Sequence, residues 1–163
     1  MSYIPADTAI LNEVALRLGN ITTSNGYNNK LNKISRARSV AFTGHDLPAA
    51  NYYHGSVVST KTKYGKNNKI QFLIIEVHSK TRDEPFIDVA DSLANDIVTG
   101  LFRSTSAPTV TDTPDITLGG TVQSITYTGH DPFIGQGQEP FCGSVVRFEV
   151  SYLNDLGDMI DYS

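Results

Sequence analysis

The stretch from Lys69 to Phe102 constrains the fold most, because its two halves have different hydrophobic periods. The first half contains an uninterrupted apolar run at Phe72 to Ile75, which is typical of a strand covered on both faces near its middle. After a five-residue link, apolar residues recur at helical spacing, with polar residues opposite them. The sequence therefore predicts a central strand followed by an amphipathic helix that folds back onto the sheet. The apolar positions of this helix are Phe86, Val89, Ala90, Leu93, Ile97 and Leu101.

Five further features are predicted before this stretch. A helix is predicted from about residue 5 to 18, with Gly19 as its C-terminal cap. Leu31 to Val40 is expected to form a weak strand or a ragged extended segment, and a turn is expected at 43–48. A strand follows from Asn51 to Thr60, and the Gly and Asn content of Lys61 to Asn68 favours a mobile hairpin loop.

The last third alternates polar connections with extended segments. Ser104 to Asp115 is small and polar, so we expect a mobile loop that buries no apolar surface. Ile116 to Thr128 is expected to be extended, and Gly129 to Gly143 to be a second mobile loop. Ser144 to Leu153 alternates apolar and polar residues as a half-buried strand does.

This order of elements determines the expected fold class. At 163 residues the chain has the length of a single domain, and it shows no βαβ alternation. We predict an α+β domain in which a mainly antiparallel sheet of four to five strands is covered by two helices.

Composition excludes several kinds of site. No apolar run approaches the roughly 18 to 20 residues that a membrane-spanning helix needs, and the first residues lack the pattern of a secretory signal. Cys142 is the only cysteine, which excludes an internal disulfide and a Cys-rich zinc site. A reducing compartment is the default expectation.

Charge is distributed unevenly along the chain. Residues 1–82 contain 11 Lys or Arg and 4 Asp or Glu, whereas residues 83–163 contain 2 and 13. This division could give the folded domain one basic and one acidic side, which would favour head-to-tail association of identical subunits. The order of the strands could equally mix the two charges in space.

The candidate catalytic patterns are weak. Thr-Gly-His-Asp occurs at residues 43–46 and 128–131, but the side chains of adjacent residues usually point apart. His54 and His78 lie on predicted neighbouring strands and could meet, yet two histidines without a third ligand make a poor metal site. The glycine-rich phosphate motifs are absent. We therefore expect neither an enzyme nor a bound cofactor.

Two groups of charged residues are candidates for contacts with a partner. Lys61, Lys63 and Lys66 would contact nucleic acid or form a solvated loop tip. The second group is acidic and surrounds the predicted second helix. Its first members complement the helix dipole, and the later ones face either solvent or a partner. These residues are Asp83, Glu84 and Asp88, followed by Asp91 and Asp96.

The layout of the chain resembles the tail-terminator family of long-tailed bacteriophages, which includes proteins like the minor tail protein U of lambda-like phages. The resemblance rests on an N-terminal helix, Leu47-Pro48-Ala49 at the start of a strand, Leu73 to Val77, the acidic-capped helix and Ser144 to Tyr152. It spans most of the chain but includes no invariant signature. The polar segments at 104–115 and 129–143 depart from the pattern and would also fit the related neck proteins that complete the head.

The resemblance implies a structural role. Subunits of the family form a six-fold ring on the last ring of the tail tube, stop tube polymerisation and join the filled head. The implied partners are the tail tube protein, a head-completion or neck protein and other copies of the chain, with DNA contact only in the ring lumen. The implied location is the virion, after assembly in the host cytoplasm. By position, Asp83, Glu84 and Asp88 are where contacts between subunits are expected. A small-ligand or nucleic-acid binding module is the alternative from another class.

Overall fold

The computed structural model describes residues 5–61, 66–81, 85–135 and 141–155. Two α-helices are present in these residues, α1 (Ala6–Gly19) and α2 (Phe86–Leu101), and a 3₁₀ turn spans Thr23–Asn25. The strands are β1 (Lys33–Arg36), β2 (Ala49–Lys61), β3 (Lys66–Lys80), β4 (Ser124–Gly135) and β5 (Phe141–Asp155).

The strands form a five-stranded sheet in the order β1-β2-β3-β5-β4. β1 is parallel to β2, and the other neighbouring pairs are antiparallel. β1 and β2 can pair in parallel because the connection at residues 37–48 is long enough to return the chain to the end of the sheet where β1 began. The predicted α+β class, the mainly antiparallel sheet and the central position of β3 are all confirmed.

Both helices lie on the same face of the sheet. α1 lies over β1 and β2, α2 lies over β3, β5 and β4, and the helices contact each other. Leu73 and Ile75 of β3 point towards them and are fully buried, whereas Phe72 on the other face is 36% exposed and Ile74 is half-buried. The expectation that this apolar run is covered on both faces is therefore wrong. We call the side of the sheet that no helix covers the open face.

The predicted N-terminal helix is confirmed. Ile10, Val14 and Leu18 form its buried stripe, and each has no exposed surface. Gly19 is the last helical residue, and the cap is Asn20 in a right-handed conformation, so the predicted glycine cap is wrong. Asn20 N–H donates to Arg17 O at 3.2 Å and Ile21 N–H donates to Leu18 O at 3.1 Å, which closes the helix without a left-handed residue.

The hairpin between β2 and β3 is tighter than predicted. Pairing extends to Lys61 and Asn67, so residues 66–68 belong to a strand and not to a loop. Strand pairing with β5 also holds residues 66–68, which satisfies the backbone of an otherwise loop-like sequence. The central part of the predicted loop, 62–65, lies outside the described residues.

The boundaries predicted for the last third are wrong. β4 covers residues 124–135, so much of the expected loop from 129 is a strand, and residues 116–123 form turns. The glycine and proline that suggested a loop fit an edge strand. Gly129 has φ of 143° at a β-bulge, and Pro132 needs no ladder hydrogen bond on the outer side of β4.

Residues 104–115 contain no helix or strand, as predicted, but they are anchored to the domain. The Tyr27 hydroxyl donates a hydrogen bond to the Pro108 carbonyl at 3.1 Å, and Val110 N–H donates to Asn25 O at 3.1 Å. Val110 also packs against the core. The expectation that this segment buries no apolar surface is therefore wrong, while its mobility stays a prediction.

A buried arginine connects α1 to the end of α2. Arg17 has no exposed surface, and its guanidinium donates to Leu101 O at 2.9 Å and to Asp115 Oδ2 at 2.6 Å. Its Nε donates to Glu13 Oε1 at 3.0 Å. Burial acts to raise the pKa of Asp115, but hydrogen bonds from Thr117, Arg17 and Gly119 outweigh it and hold that pKa well below its usual range.

Candidate subunit interface

The structure separates the charged residues predicted to contact a partner. Asp83, Glu84 and Lys63 lie outside the described residues. Lys61 ends β2 and Lys66 begins β3, at the turn end of that hairpin. Asp88 is exposed in the first turn of α2, where it complements the helix dipole. The role of these residues in binding a partner stays a prediction.

Asp96 does not lie on the solvent-facing side of α2. It is 5% exposed, and its carboxylate accepts hydrogen bonds from the backbone N–H groups of Asn28 and Asn29 at 3.3 and 2.8 Å. The Asn29 side chain donates a further bond at 2.8 Å. Asp96 therefore fixes the chain after the 3₁₀ turn, and its expected position on the polar face is corrected. Helical spacing alone could not show that residues 28 and 29 cover this part of α2.

Asp91 connects α2 to the edge strand β4. Its Oδ1 lies 3.0 Å from Nε2 of His130, and the Nδ1 of His130 lies 2.5 Å from the Tyr127 hydroxyl. If Nε2 donates to the carboxylate, Nδ1 accepts the tyrosine proton. Asp91 is still 48% exposed, so one side of this chain of hydrogen bonds faces solvent.

The strand order places the strands of each half of the sequence next to one another in the sheet. The first three strands of the sheet come from residues 33–80 and the last two from residues 124–155. In the described part of residues 1–81 there are nine Lys or Arg against four Asp or Glu, whereas in 85–135 and 141–155 there are two against eight. The strands of the two halves are therefore not interleaved, although Arg17 of the first half pairs with Asp115 of the second. Of the two outer strands, β1 carries Lys33 and Arg36 and β4 carries Asp131, and we call them the basic edge and the acidic edge.

Individual charges remain exposed at both edges. On the basic edge, Arg36 is exposed and Lys33 is 42% exposed, with Asp46 3.6 Å from its ammonium group. On the acidic edge, Asp131 is 69% exposed although it accepts a hydrogen bond from Arg147 at 2.5 Å. These intrachain pairs are solvent-exposed, so they contribute little to stability and can be shared with a second molecule.

Large apolar side chains are exposed at several places in the domain. Leu16 of α1 and Val40, in the connection after β1, are 59% and 69% exposed. Ile134 of β4 is 50% exposed, and Ile116, whose carbonyl accepts a hydrogen bond from Ile125 N–H of β4, is 51% exposed. Apolar side chains surrounded by charged residues are the usual composition of a protein interface.

A cavity of about 360 Å³ lies on the open face, beneath residues 38–47. Its wall includes His78, whose ring lies 5.4 Å from Phe42 and 5.9 Å from Phe141 of the same wall, and 5.2 Å from Phe133 behind it. The Arg38 guanidinium lies 4.8 Å from the centre of the Phe42 ring. The lining therefore combines an aromatic wall with two cationic groups, Arg38 and Lys80, and one carboxylate, Glu76, so the cations outnumber the anion, as suits a small anionic ligand.

The ionisable groups beside this cavity are perturbed by burial. Burial lowers the pKa of His78, and the Glu76 carboxylate, 3.9 Å away, opposes this shift. Burial and the hydrogen bond to Glu76 raise the pKa of Tyr53 to about 12. His78 is therefore held mainly neutral at pH 7, and the positive charge near the cavity comes from Arg38 and Lys80.

The candidate catalytic patterns do not form a site. His54 and His78 lie on opposite faces of the sheet, because His54 is paired with Leu73 on the helix side, so the expectation that they could meet is wrong. His130 binds Asp91 and not the adjacent Asp131, which instead pairs with Arg147. Within the described ranges, no group of three or more His, Cys, Asp or Glu could hold a metal ion.

Comparisons with known proteins add no assignment. No family model matches this chain, and no curated protein matches it either. Neither described helix is long and apolar enough to cross a membrane. Sequence reasoning missed the aromatic wall of the cavity, the buried Arg17 and the edge residues Lys33, Arg36 and Asp131. The charge division along the chain was the signal that could have indicated the edges.

Proposed function

We propose that this chain is a virion assembly protein that forms a ring on the end of a phage tail tube. The ring ends polymerisation of the tube and forms the tail side of the head–tail joint. In this role the protein has no enzymatic activity, and its partners are the tail tube protein, a head-completion protein and further copies of itself. The proposal combines the resemblance in element order with the oppositely charged edges of the sheet.

The separation of charge between the two edges carries the proposal. A closed ring of identical subunits needs a heterologous interface, in which one surface of a subunit binds a different surface of the next. Two identical patches of like charge repel, whereas a basic edge and an acidic edge attract. Exposed apolar residues, such as Val40 and Ile134, supply surface that association can bury.

The function is tested by mixing the purified protein with its tail tube protein during tube polymerisation. Electron microscopy should show tubes that stop growing and carry a ring at one end. Tubes that elongate as they do alone, without rings, would refute the proposal. Binding to filled capsids in place of tubes would instead identify a head-completion or neck protein.

The cavity beside His78 favours a second candidate function, the binding of a small anionic ligand. An aromatic carboxylate has both the flat apolar ring and the negative charge that this wall suits. Benzoate and indole acetate can be titrated into the protein while the ring protons of His78 are followed by NMR. Saturable shifts that disappear in Phe42→Ala would support ligand binding, and their absence would exclude these ligands.

A further inference from the structure

Charged residues of opposite sign lie at the same level along the two outer strands of the sheet. The pairing across the five strands places Arg36 of β1 in the row of Tyr52, Ile75, Val146 and His130. His130 binds Asp91, so the basic and acidic groups occupy the same level at opposite edges. Both lie on the helix-covered side of the sheet, because Arg36 also donates to Thr8 O and Asn12 Oδ1 of α1.

A second pair of opposite charges lies on the open face. Asp131 of β4 and Ser35 of β1 are the two ends of one cross-strand row, which runs through Val145, Glu76 and Asn51. Lys33 lies two residues before Ser35 on β1, so it is displaced from the row of Asp131 by two residues. Two residues along a strand correspond to about 7 Å, a distance that a lysine side chain can cover. Lys33 faces Asp46 of the segment over the open face, and Asp131 faces Arg147 on the same face.

From these positions we infer that a second copy of this chain binds edge to edge, with Arg36 opposite Asp91 and Lys33 opposite Asp131 of its neighbour. The inference rests on the proposed ring and names the surfaces that close it. Two copies placed side by side with their helices on the same side bring together opposite charges on both faces. In an inverted neighbour Arg36 would lie opposite Asp131, so Arg36 meets Asp91 only when the helices of both copies lie on the same side.

An exposed apolar residue lies beside the acidic edge. Ile134 lies three residues beyond Asp131 on β4, on the helix-covered side, and is 50% exposed in the single chain. Burying it against the neighbour supplies an apolar part of the contact, while the charges determine which edges meet.

Two charge-reversal variants test the inference. Lys33→Glu with Arg36→Glu makes both edges acidic, and Asp91→Lys with Asp131→Lys makes both edges basic. Alone, each variant opposes like charges and should raise the dissociation constant for self-association at least about tenfold. Mixed in equal amounts, the two variants should associate again, because every contact then joins an acidic edge to a basic one.

Sedimentation velocity at low salt, over a range of protein concentrations, measures this association, since salt screens exposed charges. The matched control is Lys80→Glu, which reverses an exposed lysine of the central strand and should leave association unchanged. Cooperative thermal unfolding shows that each variant is folded. If reversal disrupts either double variant, Lys33→Ser with Arg36→Ser and Asp91→Ser with Asp131→Ser replace the pair, and each should weaken association.

Three results would overturn the inference: wild-type protein that stays monomeric throughout, variants that associate like wild type, or reversed variants whose mixture associates no better than either alone. The failure of the inference is distinct from that of the proposed function. Variants that cap tail tubes as wild type does would reject these edges and keep the function. Edge-dependent rings that leave tube growth unaffected would keep the edges and reject the function.

Discussion

The buried Arg17–Asp115 pair allows a quantitative test of what holds α1 against the end of α2. The substitution Asp115→Asn keeps the size of the side chain but removes the negative charge 2.6 Å from Nη2 of Arg17. Arg17 then stays buried with Glu13 as its remaining described carboxylate partner. The Asn side chain also cannot accept as many of the bonds that Thr117 and Gly119 donate to the carboxylate.

The expected cost follows from the burial of the two partners. Removing one member of a buried ion pair costs about 3–5 kcal/mol. The Asp115 side chain is 24% exposed and Glu13 still binds the guanidinium, so we expect the unfolding free energy to fall by less, about 2–3 kcal/mol. For a chain of 163 residues this corresponds to a decrease in Tm of roughly 5–10 °C.

The pH dependence supplies an independent check. Because the folded protein holds the pKa of Asp115 below its unfolded value, the carboxylate stabilises the fold fully above about pH 4. That contribution is lost as the pH falls from there towards the lower folded pKa. The stability difference between wild type and Asp115→Asn should therefore be constant near neutral pH and shrink below about pH 4.

Urea denaturation followed by circular dichroism, repeated between neutral and acidic pH, measures both effects. Asp112→Asn is the matched control, because Asp112 lies in the same connection but binds only Thr109 among its described hydrogen-bond partners. Asp112→Asn should lower the unfolding free energy much less than Asp115→Asn does. If Asp115→Asn is as stable as wild type at pH 7, or if the difference is unchanged in acid, the reasoning about this pair is wrong.

Three further substitutions probe other buried polar groups. Asp96→Ala should lower the unfolding free energy by about 1–3 kcal/mol, because it leaves the N–H groups of Asn28 and Asn29 without their acceptor. The control is Asp88→Ala on the exposed side of the same helix. If both substitutions lower the unfolding free energy equally, Asp96 does not have this role. Gln71 is fully buried, and its side-chain amide has no hydrogen-bond partner among the described residues. Gln71→Met should therefore raise the unfolding free energy by about 1–2 kcal/mol. If chemical denaturation shows a lower unfolding free energy, the amide is hydrogen-bonded in the folded protein. Burial lowers the pKa of His78, so its contribution to stability is complete above about pH 6.5 and is lost as the pH falls towards the folded pKa. In His78→Phe the unfolding free energy should therefore depend less on pH below about pH 6.5. If the pH dependence is the same as in wild type, burial of His78 is not its cause.

The extent to which the sequence predicted the fold depended on the kind of signal. The 3.6-residue period of α1 and α2 and the alternation of β5 were reliable because each face of these elements meets a different environment. Gly129 and Pro132 were misread as loop residues because composition does not show that β4 is an edge strand. The apolar run at Phe72 to Ile75 was misread because it does not report whether a second layer covers the sheet.

The sequence by itself determined the element types, the α+β class and the division of charge between the two halves of the chain, since these depend on local period and composition. Only the tertiary structure decided where that charge lies. Because β4 and β5 both lie on the side of β3 opposite to β1 and β2, each half of the sequence occupies its own edge of the sheet. The same packing buried Asp96 and Arg17 and brought Asp91 to His130, through contacts across 39 to 98 residues that no local pattern encodes. Of the four residues that we propose join one subunit to the next, only Asp91 lies in the stretch from Lys69 to Phe102 that determined the class of fold.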